Sequence, residues 1–100
     1  MSEFMGLIKG GYEAKEGFQP GGASLHSIMT PHGPDKSCYK SASKMELKPE
    51  RVADGTLSFM FETYYQLSLT EWASTTCGKL DKDYNQCWVG LRKHFIGPED

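Results

Sequence analysis

Five glycines and a proline crowd the thirteen residues from Gly10 to Gly22, and that density limits what the chain can build. Glycine loses the most backbone freedom on folding and proline lacks an amide donor, so no regular element of ordinary length crosses such a stretch. The segment is a loop, either a loose connector or a backbone that must pass close to something else. Regular structure is confined to short pieces on either side. At 100 residues there is room for at most one small domain, burying only about 60–65% of its unfolded surface. The 11 glycines and 5 prolines dilute its core, and the three cysteines offer no CxxC pair or zinc-finger spacing to compensate. The expectation is one partial domain over residues 1–100, a piece of something larger.

Residues 3–8 alternate as a strand, with Phe4 and Ile8 on one face and Glu3, Met5 and Leu7 on the other. Residues 24–30 return to a strand-like pattern until Pro31-His32-Gly33-Pro34-Asp35 breaks it. Residues 36–44 are polar, a surface loop or a short helical turn. Met45–Val52 and Thr56–Thr63 flank Ala53-Asp54-Gly55, which predicts a hairpin, although Pro49 demotes the first run to an edge or a bulge. In the second run Leu57, Phe59 and Phe61 share a face. Tyr64–Thr70 is a further candidate strand. Leu80, Tyr84, Cys87, Trp88, Leu91 and Phe95 recur at helical spacing, predicting an amphipathic helix that Gly97-Pro98 stops. The fold class expected is mainly β, closed by one C-terminal amphipathic helix.

Charge and composition remove several functions. Eleven basic against 13 acidic residues leave a net charge of −2, unlike a strongly basic nucleic-acid binder or a protein drawn to anionic lipid. No apolar run reaches the roughly 18 residues that span a bilayer, and Met1-Ser2-Glu3-Phe4-Met5 leads into no secretory signal. An odd number of cysteines suits a reducing cytosol better than a disulfide framework. P-loop, GxGxxG and GxSxG motifs are absent.

Three groups of side chains can carry chemistry. Glu3, His26 and His32 are the ligand types of non-haem iron(II), often held by two His and one carboxylate with positions left open. Spacing alone is weak here, since histidines near a turn are more often structural, but His32 stands between two prolines where the backbone is stiff. Cys77, Cys87 and His94 match no zinc pattern, and Cys87 lies on the apolar stripe beside Trp88, where a core role is the ordinary one. Tyr12, Phe18, Tyr64 and Tyr65 either flank an aromatic ligand or simply pack.

Met-Ser-Glu-Phe-Met-Gly-Leu-Ile (1–8), Gly-Tyr-Glu-Ala-Lys (11–15), Pro-Gly-Gly-Ala-Ser-Leu-His-Ser (20–27) and Met-Thr-Pro-His-Gly-Pro-Asp (29–35) together resemble the homogentisate 1,2-dioxygenase family. The likeness continues through Pro-Glu-Arg-Val-Ala-Asp-Gly-Thr (49–56), Phe-Met-Phe-Glu (59–62), Asp83-Tyr84 and Cys87-Trp88, essentially the whole chain. The resemblance implies a cytoplasmic iron(II) enzyme of tyrosine and phenylalanine catabolism. It opens the ring of homogentisate with dioxygen to give maleylacetoacetate, on a cupin-like, jelly-roll β architecture assembled as a hexamer. It further implies Glu3 and His32 as iron ligands, with His32 also adjoining the substrate. Tyr12 matches a substrate-contacting tyrosine, and His26 lines the site as the candidate catalytic residue.

Members of that family are several times longer, and this chain corresponds to their C-terminal end. The family's other histidine ligand falls before Met1, as do its proposed catalytic histidine and N-terminal domain. Two protein ligands hold iron(II) weakly. A second expectation, from a different class, is therefore a non-catalytic fragment that keeps a structural or subunit-contact role. A zinc-binding module is a distant third.

Overall fold

Ser2–Lys9 forms β1, Ala23–His26 forms β2 and Leu57–Thr63 forms β3, joined in one antiparallel sheet with β1 in the middle. The computed structural model describes residues 1–97. Mainly β architecture follows the expectation from sequence. Glu3 lies opposite His26 and Phe4 opposite Leu25 in the β1–β2 register. On the other side Phe4 faces Phe61, Met5 faces Met60 and Gly6 faces Phe59.

Alternation along β1 decides where the core sits. Met5 and Leu7 are each 2% exposed, on the same face as Glu3. The opposite face carries Phe4, tilted against Phe59 at 5.8 Å between ring centroids. Gly6 leaves room there: a Cβ on it would run into the Phe59 ring, which covers the bare backbone. The register shifts between Leu7 and Lys9, a bulge that leaves Ile8 exposed. Gly10 then takes a φ of 81°, and Gly11 exchanges two hydrogen bonds with the Thr56 hydroxyl, which binds the end of β1 to the start of β3.

Ser2 couples three segments through one side chain. Its hydroxyl donates to the Tyr65 carbonyl at 2.7 Å and accepts from the Ile28 amide at 3.1 Å. Lys36–Ala42 is a short helix, α1, so residues 36–44 take the helical alternative. The Asp35 carboxylate caps it, accepting from the Cys38 amide at 2.7 Å.

Four sequence expectations are corrected. The 24–30 run is a strand only to His26, because the chain turns at once: the Thr30 amide donates to the Ser27 carbonyl and Met29 adopts a left-handed φ of 65°. Residues 45–52 stay outside the sheet and exposed. The Asp54-Gly55 turn does form, with Gly55 at φ 76°, but β3 pairs with β1 rather than with 45–52. Pro49 lacks a ladder donor, while the free edge of β1 offers Gly6 and Phe4 to the two phenylalanines. Residues 64–70 form no strand; a π-helical turn follows at Trp72–Thr76. Finally, the amphipathic helix predicted over 80–95 contracts to a 3-10 turn, Tyr84–Trp88. Val89 is extended and Gly90 left-handed at φ 81°, so the helical backbone stops there although the apolar spacing continues. Pro98, the expected helix stop, lies outside the described residues. Among the described residues no helix is long and apolar enough to cross a membrane.

Candidate functional site

The β1–β2 register brings Glu3 beside His26, and the left-handed turn at Met29 brings the chain back over them. His32 thereby stacks on His26, with centroids 3.9 Å apart and planes 13° from parallel. The two imidazoles share a face through this turn, not through a strand. One ligand-capable atom from each of Glu3, His26 and His32 lies within 4.8 Å of the others. Among the described residues this is the one such cluster of three or more. It gathers the whole first group of sequence candidates.

Hydrogen bonding assigns the protons. A carbonyl accepts only, so the contact of His32 Nδ1 with the Thr30 carbonyl at 2.9 Å places a proton on Nδ1. In the neutral ring His32 Nε2 then aims a lone pair at Glu3 Oε2, 3.4 Å away. Two acceptors facing each other repel, and a proton or a metal cation between them relieves the repulsion. The donor set therefore fits a divalent metal. His26 is arranged differently. Its Nδ1 donates to Glu3 Oε1 at 3.3 Å, and its Nε2 accepts from the Tyr84 hydroxyl at 2.7 Å. Both nitrogens are engaged, and the ring is 5% exposed.

Electrostatics keep the carboxylate charged and His26 neutral. Burial alone would raise the Glu3 pKa, but the hydrogen bonds that His32 and His26 donate when protonated at the facing nitrogen, and the positive charge of the protonated rings, outweigh it and hold the group below the ordinary range. Burial lowers the His26 pKa, and the neighbouring His32 and Lys15 charges add to that against the pull of Glu3. Tyr12 is half-buried against Phe18, 5.7 Å between centroids. Burial and the Glu3 charge both push its hydroxyl pKa upward, so it stays protonated.

The other candidates separate. Tyr64 and Tyr65 lie against each other, tilted by 35° with centroids 4.1 Å apart, and are exposed. His94 meets the Tyr39 hydroxyl at 3.2 Å, and the Cys77 thiol donates to the Ala73 carbonyl at 3.3 Å. All three cysteines are free.

Sequence reasoning missed the residues that support the cluster. Tyr84 holds His26, and the Trp88 indole N–H donates to the Gly33 carbonyl at 3.0 Å, next to His32. Both stood in the sequence as members of an apolar helical stripe, and Tyr-x-x-x-Trp carries no local sign of such a duty. Asp35 is 5% exposed and its Oδ2 accepts from the Glu16 amide at 2.7 Å. Burial would raise its pKa, but the Cys38 and Glu16 amides outweigh it and keep the carboxyl low. Its place after a proline and before a polar run was the one legible signal, that of a helix cap.

Comparison with known proteins covers nearly the full chain. The family described as homogentisate 1,2-dioxygenase C-terminal matches residues 1–95. Homogentisate 1,2-dioxygenase of Mus musculus is 62% identical over 96 residues, 95% of this chain and 22% of its own length. The human protein of the same name is 58% identical over the same shares, and that of Caenorhabditis elegans 58% over 100 residues, 99% and 22%. The chain thus spans about a fifth of the length of the curated relatives it matches.

Proposed function

This chain belongs to the homogentisate 1,2-dioxygenase C-terminal family, and we propose that within a complete enzyme it supplies Glu3 and His32 as ligands to iron(II). The reaction proposed is opening of the homogentisate ring with dioxygen to give maleylacetoacetate, a step of tyrosine and phenylalanine catabolism. The observation that carries it is the meeting of Glu3, His26 and His32 within 4.8 Å, with a Glu3–His32 contact that sets acceptor against acceptor when His32 is neutral and that a proton or a metal cation resolves. Carboxylate and imidazole are the donors of the open, facial iron(II) sites that oxygenases use.

Iron(II) held by Glu3 and His32 would supply open coordination positions for substrate and oxygen. Several of the chain's own residues contribute beside it. The ionised Glu3 offers an anionic ligand, and the Thr30 carbonyl orients the His32 ring by holding its Nδ1–H, the outer-shell partner that such ligands take. Neutral His26 is the proposed catalytic residue. Its Nδ1 proton stays hydrogen-bonded to Glu3, and its Nε2, engaged here by the Tyr84 hydroxyl, would take a proton from a phenolic oxygen of the substrate, and return it, once that oxygen replaces the hydroxyl. Tyr12, kept protonated, donates a hydrogen bond to the substrate, and His32 adjoins it. The sheet is proposed as part of a larger cupin-like, jelly-roll architecture in a cytoplasmic homo-oligomer, a hexamer by family likeness.

The test uses a full-length enzyme carrying this segment, loaded anaerobically with iron(II). Stoichiometric iron and homogentisate-dependent oxygen uptake are expected, and His32→Ala and Glu3→Gln abolish both. Turnover retained in His32→Ala sinks the proposal.

A further inference from the structure

The glycine-rich segment carries a buried cation that the proposed ligand set does not use. Lys15 is 8% exposed, and its Nζ is enclosed without a hydrogen-bond partner. Asp35, Glu16, Asp81 and Asp83 line the same cleft, yet among the described residues no carboxylate pairs with it. An uncompensated ammonium in the interior is strongly unfavourable, so something must replace its hydration. Nζ stands 4.8 Å from the centroid of the Tyr84 ring and 4.7 Å from that of Trp88. Both ring faces are negative, and desolvation strengthens a cation's attraction to them.

Its place is built from both sides. The Ala14 carbonyl accepts from the Asp35 amide at 2.9 Å, and the Glu16 amide donates to the Asp35 carboxylate at 2.7 Å. Lys15 stands between those two anchors, so the chain cannot slide the ammonium away from the rings. A methionine would fill similar space without the cost of a buried charge. The two rings touched by the cation are also the two that hold the candidate site. The Tyr84 hydroxyl bonds His26, and the Trp88 indole bonds the carbonyl next to His32. A cation over a ring draws π density and makes its O–H or N–H a better donor.

We propose that Lys15 is a positioning residue: its buried ammonium, held over Tyr84 and Trp88, fixes the two side chains that orient His26 and the His32 turn. The proposal rests on the functional reading above and adds a residue to it.

A full-length enzyme carrying this segment is compared with its Lys15→Met, Lys15→Arg, Trp88→Phe and Lys15→Met/Trp88→Phe forms. Lys15→Met should lower kcat about tenfold and weaken anaerobic iron(II) binding several-fold, leaving KM for homogentisate within about twofold. Lys15→Arg, whose guanidinium also stacks on aromatic faces, should keep kcat within about threefold of wild type. In the Trp88→Phe background the cost of Lys15→Met should shrink by at least about half, because the two act together. Unchanged kcat in Lys15→Met overturns the proposal, as does an additive double variant. A loss confined to KM overturns it too, since Lys15 would then touch the substrate. If Lys15→Met does not fold, Lys15→Arg decides alone: a loss above about threefold is against the proposal. An inactive wild type would defeat the functional reading instead. Lys15 is then judged from crystal structures, where Lys15→Met should part Tyr84 Oη from His26 Nε2 beyond about 3.5 Å, and an unchanged spacing refutes the role.

Discussion

The first 35 residues and the last 34 described ones, 64–97, are held in place by different physics. Every buried residue among the described ones, Ser2, Met5, Gly6, Leu7, Lys15, Ser24, His26 and Asp35, belongs to the first region. The second has none, and leaves Trp72, Leu80, Phe95 and Ile96 exposed. It reaches the site through a few polar and aromatic contacts: Tyr84 on His26, Trp88 on Gly33 and the Tyr65 carbonyl on Ser2. Burial builds the platform, and directional contacts add the segment that aims its side chains. Substitutions of the buried apolar and capping residues of the first region should therefore act on stability, and those of Tyr84 and Trp88 in the second on the geometry of the site.

The sharpest way to break that contrast is Leu7→Ala. Leu7 is 2% exposed at the centre of the sheet, and its truncation in a full-length enzyme should cost about 2–5 kcal/mol by denaturant unfolding. A cost within error of zero would show that the platform is not held by burial.

Asp35→Ala should come next, at about 2 kcal/mol, from a lost helix cap and a Glu16 amide left without its acceptor. Its pH dependence has a definite sign. The folded pKa lies below the reference value of 3.8, so the wild-type contribution is present above that value and is lost as pH falls through the folded pKa. Thermal melts from pH 7 down to pH 3 should accordingly show a shallower acid limb in Asp35→Ala than in wild type.

Trp88→Phe tests the second region. Losing one indole hydrogen bond should take about 1 kcal/mol from stability, while kcat falls more than the melting temperature suggests. A variant that loses stability and keeps full kcat would reduce Trp88 to ordinary packing. The smallest effect belongs to Arg51→Ala. Its pair with Asp54 at 3.3 Å is exposed on both sides, so a change of under about 0.5 kcal/mol is expected, and a larger one would reveal a contact beyond that pair.

Part of this was legible before any coordinates. Alternation in residues 3–8 and 56–63 identified β1 and β3, because period two is a property of the strand itself. Glycine density marked the loop, and the donor types of Glu3, His26 and His32 marked the candidate site. The helix over 80–95 was misread because apolar spacing records which side chains face inward, not whether the backbone between them stays helical; Val89 and Gly90 leave the helix while Leu91 stays on the half-buried stripe. The hairpin was misread because a turn signal at Asp54-Gly55 names the corner, and the partner strand is chosen by a free sheet edge elsewhere.

The sequence by itself determined the chemistry available: one carboxylate and two imidazoles suited to iron(II), a loop that admits no long element, and membership of a family matched over residues 1–95. Tertiary structure alone decided which atoms meet. Glu3 reaches His26 through the β1–β2 register, His32 reaches both through the left-handed turn at Met29, and Tyr84 reaches His26 across a separation of 58 residues. Local preference acts over a few neighbours along the chain. A contact between distant segments is set by the packing of the whole sheet and the return of the chain across it, and so were the proton on His32 and the rings beneath Lys15.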